Sequence, residues 1–180
     1  MTTILIELDK QTRSNHLNQM EKWFEHVLTI QMSLENSLQR AIPIISEPHM
    51  KEAIQKTQAA VRAHSSAAED LFKAIHRSAD AAKDRALANI NTAVQTGLFS
   101  FEDLMGGAVG SWKEIHLLLL MNQQAMGAFA VAEQLGLAIG MKEVVNIAFP
   151  VVHEKTMHQL LLQEYMLEMA PVSILYQENV

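Results

Sequence analysis

The chain has 180 residues, enough for one domain with a sizeable core that needs no covalent staples. It contains no cysteine, which excludes disulfides, thiolate metal sites and cysteine nucleophiles. Its formal charge is −6, with 14 Lys and Arg scattered among few aromatics, so the clustered cations that nucleic acid binding requires are missing. The 49% hydrophobic content is largely Ala, Leu and 11 Met, a composition that favours helix over sheet and predicts an all-α fold.

Residues 1–13 read as an N-terminal arm. Its Ile4-Leu5-Ile6 run lacks a basic leader, a long apolar stretch and a small-residue cleavage site, so no secretory signal and a cytoplasmic protein are expected. A first helix should open near Ser14 or Asn15 and run to about Ile45, kinked at Pro43. Ser46 is the expected cap of the second helix, with Glu47 and Pro48 in its first turn, and so short a connection makes the two antiparallel. Neither Pro nor Gly occurs from His49 to Thr96, too long for one bundle helix. The expected break falls near Arg77 to Asp80, with Ser78 starting a piece that carries Ala82, Ala86, Ile90 and Val94 and ends at Gly97. Ser100 to Met105 reads as a short helical turn within a crossover.

Ser111 and Glu114 form an S-x-x-E capping box for a third long helix, expected to stop at Gly136. The stretch Ile115 to Met141 is long enough to span a bilayer, but Asn122, Gln123, Gln124, Glu133 and Gln134 sit inside it. A buried bundle helix is the cheaper placement, and no membrane role is expected. The last helix runs from Met141 to about Met169, kinked at Pro150 and ended by Pro171, with residues 172–180 as a tail. Two antiparallel hairpins joined by a long crossover have the connectivity of a ferritin-like four-helix bundle.

Each apolar stripe is interrupted near its middle by polar residues. Leu17, Met20, Phe24, Val27, Leu34 and Leu38 repeat at three and four residues around Gln31 and Glu35. Met50, Ile54, Val61, Ala68, Leu71 and Ile75 do the same around His64. Gln123 interrupts the third helix, and Glu154 and His158 take the steps between Val151 and Leu161 in the fourth. Counted from the two hairpin turns, Gln31, His64, Gln123 and Glu154 lie at similar heights. Two readings are open at this point. One is a metal site of Glu35, His64, Glu154 and His158, with Gln31 and Gln123 behind the ligands, suited to Fe, Mn or Zn. The other is a hydrogen-bonded cluster that fixes helix register and holds no cofactor.

Other arrangements carry less. His153 and His158 are five apart and point about 140° away from each other, so they cannot form a zincin pair. His116 reads as a core histidine. The methionines at 121, 126, 141, 157, 166 and 169 read as core filling, or as the lining of a site for an apolar small molecule between the last two helices. Leu117 to Met121 and Met126 to Val131 make the third helix apolar nearly all round, which predicts a homodimer.

Leu34 to Glu52, Val131 to Leu137 and His153-Glu154-Lys155 together resemble the YciF-type family of small bacterial ferritin-like proteins, which is linked to stress responses. The resemblance implies a di-iron bundle and places Glu35 and Glu154 on acidic positions of that family. The chain departs from it at Ala60, where the family has a histidine, at Leu118 and Met121, where it has acidic residues, and at His153, where it has a glutamate. The function expected from these departures is a non-catalytic, self-associating structural or stress-linked bundle that has lost the di-iron site. A remodelled metal-binding protein with an oxidase or storage role, and a binder of an apolar small molecule, are the alternatives.

Overall fold

The computed structural model describes residues 9–88 and 110–178, and the described residues are helical with short connections. Helices α1 (Lys10–Ala41) and α2 (Pro48–Ala74) form one hairpin, a further segment α3 begins over residues 80–88, and α4 (Ser111–Ala138) and α5 (Lys142–Leu175) form the second hairpin. The expectations for Ile90, Val94, Gly97 and residues 100–105 lie outside the described residues. α1 packs on α2 and α4, and α5 packs on α2 and α4, so the four long helices close a ring.

Helix directions follow from one serine. Ser111, in the first turn of α4, accepts the Ser46 N–H at 3.2 Å and donates to the Ile44 carbonyl at 3.2 Å. α4 therefore starts beside the α1–α2 turn and runs antiparallel to α1, and α5 returns antiparallel to α4. The chain between α2 and α4 joins opposite ends of the bundle. α3 sets out along α1 and α2, with Ala82 and Ala86 buried, Lys83 bound to Glu69 at 2.5 Å and Arg85 bound to Glu25. Two indoles tie helices together: Trp23 Nε1 donates to the Ala128 carbonyl at 3.0 Å and joins the two hairpins, and Trp112 Nε1 donates to the Met166 carbonyl at 2.8 Å within the second.

Several boundaries differ from the sequence expectation. α1 is capped by Asp9, which accepts from the amides of Gln11 and Thr12 at 3.0 Å; its first two turns are mostly exposed, so no apolar period marks them. It ends at Ala41, leaving Pro43 in the turn rather than at a kink. Glu47, not Ser46, caps α2, its carboxylate accepting the Met50 amide at 2.5 Å. Ser111 makes no cap bond, because its hydroxyl is used between the hairpins.

Helix ends are set by two Schellman turns. At the end of α2, His76 at φ 59° stands in the left-handed position, with Arg77 N donating to Phe72 O and His76 N to Lys73 O, both at 2.9 Å. The new piece then opens with Ser78 Oγ accepting the Asp80 amide at 3.1 Å, as expected. At the end of α4, Gly140 at φ 72° takes the same position, with Met141 N bonded to Gly136 O at 2.8 Å. Gly136 is thus inside the helix instead of stopping it. α5 runs through both Pro150 and Pro171, so the tail begins later than residue 172. Both prolines are exposed, as are Asn146 and Leu167, the residues one turn earlier whose carbonyls each proline leaves without a helical partner.

α4 is the one described helix long and apolar enough to cross a bilayer, and 44% of its most apolar stretch is buried against the other helices.

Candidate functional site

The apolar core is divided in two. One cluster holds Phe24, Leu71, Phe72, Phe129 and Val144; the other holds Leu38, Ile54, Trp112, Ile115 and Leu162. Between them lies a polar layer of Gln31, His64, Asn122, Lys155 and His158, of which the first four are buried.

α1 contributes Gln31, whose amide Nε2 donates to the Val61 carbonyl at 2.9 Å and so clips α1 to α2. α2 contributes His64, in the inward phase that the stripe predicts, with Nε2 2.9 Å from Glu154 Oε2. Glu154 itself is half in solvent, its side chain 50% exposed, so the bond reaches from the core to the rim. The rings of His64 and His158 have centroids 6.0 Å apart. These placements bring three of the four expected ligands near one another. The fourth, Glu35, turns away: its carboxylate accepts from Ser65 Oγ at 2.6 Å and sits 3.8 Å from Arg62 Nε. Among the described residues no group of three or more His, Asp and Glu converges to hold a metal.

Two corrections of phase follow. Gln123 is exposed, and its neighbour Asn122 occupies the layer, donating to the Lys155 carbonyl at 3.0 Å and to Gln159 Oε1 at 2.9 Å. α4 is apolar almost all round, so its pattern leaves the phase undetermined by one residue. In α5 the buried positions are Val144, Ala148, Val151, Lys155, Leu162, Met169 and Ser173, so that after Val151 the inward series runs one step later than the one through Glu154 and Leu161. Lys155, which sequence reading noted only within the family resemblance, is fully buried at 0% exposure. The signal was present, since residues 151, 155, 158 and 162 keep helical spacing, but a lysine is read as a surface residue by default.

Burial governs the electrostatics. It pushes Lys155 down to about 7, against the pull of the Glu154 carboxylate. His64 is pushed down to about 4, by burial first and then by the Lys155 charge, with the Glu154 bond opposing. His158 is lowered by burial as well, with Glu154 opposing and Lys155 assisting. At neutral pH His64 is therefore uncharged and donates its Nε2 proton to Glu154, a hydrogen bond rather than an ion pair. Lys155 Nζ has no hydrogen-bond partner among the described residues and lies 6.0 Å from the Phe129 ring centroid. Gln31 Oε1 and the Nδ1 atoms of His64 and His158 are buried and likewise without a hydrogen-bond partner among those residues.

A di-iron centre does not fit these residues. The layer offers the single carboxylate of Glu154, which is engaged by His64 Nε2, and an amine shares the layer, whereas a di-iron bundle site takes several carboxylates. Nor is there much room: the cavity against Asn122 and His158 is about 20 Å³, space for one water molecule and far below the several hundred Å³ of a ligand pocket. No family model, no curated protein and no solved structure matches the chain.

Proposed function

We propose that the chain is a non-catalytic helical bundle of ferritin-like connectivity, a self-associating structural or stress-linked cytoplasmic protein without a di-iron centre. The observation that carries this reading is Lys155, a buried amine in the layer where such bundles gather carboxylates. A lysine amine adds no anionic ligand to the layer, and one rim carboxylate on an imidazole cannot bridge two divalent cations. The polar layer then acts as a register device. Gln31 bonds from α1 to α2, His64 from α2 to α5 and Asn122 from α4 to α5, and sliding any of these three pairs by one turn would break its bond in the layer.

Aerobic titration with Fe(II), followed by ferric absorbance, tests the reading. No saturable oxidation is expected. Saturable oxidation that disappears in Glu154→Ala would overturn it in favour of a metalloenzyme.

A further inference from the structure

α5 has two seams. The inner one faces the core; the outer one follows residues 149, 153, 156, 160, 163 and 167, all exposed and spaced by three and four. Three of these are large apolar side chains, Phe149 at 59%, Leu160 at 57% and Leu167 at 59% exposure, and Met157 and Ile174 flank the same face. Together the five expose on the order of 500 Å² of apolar surface. That is near the upper limit of the largest patch on an ordinary monomer. It is also close to the apolar share of the roughly 800 Å² that each partner contributes to a standard interface.

The seam is self-complementary. Phe149 and Leu167 lie nine residues either side of His158, and Thr156 and Leu160 lie two either side. An antiparallel two-fold at the level of His158 therefore sets Phe149 against Leu167 of a second copy and Leu160 against its Thr156. The same register places Glu164 opposite Val152 and His153 opposite Gln163, so no two acidic side chains are opposed. A period of 3.5 residues is what two packed helices need to stay in contact along their length.

We infer that a second copy of this chain docks on the outer seam of α5, forming an antiparallel α5–α5 dimer about a two-fold axis that crosses this seam at the height of residue 158. This rests on the self-association reading above and assigns it a surface, moving the interface from the expected α4 to α5.

The chain's lack of cysteine makes the test direct. In sedimentation velocity the wild type should run as a dimer. Leu160→Glu with Leu167→Glu should run as a monomer with unchanged helical circular dichroism. Phe149→Cys with Leu167→Cys should oxidise to a covalent dimer, because within one chain these positions are about 27 Å apart along the helix. A wild-type dimer that survives the double Glu change and yields no cross-link overturns the α5 interface while leaving self-association standing. A monomeric wild type at 100-micromolar order overturns both. If the Glu variant fails to fold, the cross-link alone decides.

Discussion

Lys155 concentrates the cost of the polar layer in one side chain. Its folded-state value near 7 lies below its ordinary 10.5, so between those limits the unfolded chain binds more protons and stability rises with pH. Lys155→Met keeps the volume and removes the amine. It should stabilise the protein by about 1–3 kcal/mol at pH 7. The gain should be largest below pH 7 and shrink toward pH 10, as wild-type folding ceases to require dehydration of a charge. Urea denaturation of both proteins at pH 6, 8 and 9.5 measures this; a gap independent of pH would mean that the amine is hydrated. His64 has the same sign one step lower: with a folded value about 4 against 6.5, its contribution is lost as pH falls between them. Glu154→Ala, by contrast, removes a half-exposed carboxylate from a neutral imidazole. A loss of about 1–2 kcal/mol is expected in the same assay, well under the cost of stranding a buried charge.

Among the elements, the α4–α5 turn is the most demanding. Gly136 has no side chain because Val144 lies against it: a Cβ there would fall 3.0 Å from the Val144 Cβ and Cγ1 and 3.2 Å from the Met141 carbonyl. Gly136→Ala should therefore destabilise by about 1–3 kcal/mol despite alanine's better helix propensity, read as a lower thermal midpoint. Helix number, order and the inward faces of α1 and α2 were legible because each has one apolar stripe and one polar side, and Gln31 and His64 fell on the stripe. The faces of α4 and α5 were not. When most positions are apolar, the period no longer distinguishes Asn122 from Gln123, or Lys155 from Glu154, and partner packing decides. Proline also misled at 171, since a proline on a solvated face loses one hydrogen bond without forcing the helix to stop.

For the whole molecule, the two hairpins were readable from the short connections between their helices, whereas the convergence of Glu35 with the other polar residues was not. Height along a helix can be counted; the direction of a long side chain that finds Ser65 and Arg62 beside it cannot. Assembly adds a further dependence. If folding is completed by a second copy, the melting midpoint should rise with protein concentration, by about 2 °C per tenfold. Calorimetry at two concentrations checks this, and an invariant midpoint would count against the dimer.

The two indoles at opposite poles give the protein a built-in pair of optical reporters. The chain has only two tryptophans, and each is hydrogen-bonded across a different half of the divided core, Trp23 to α4 and Trp112 to α5. Replacing either one with phenylalanine leaves a single fluorophore that reports one half alone. The polar layer between them thereby becomes a measurable boundary: coincident emission changes would show that it couples the two halves into one cooperative unit, and separated changes that it divides them into two.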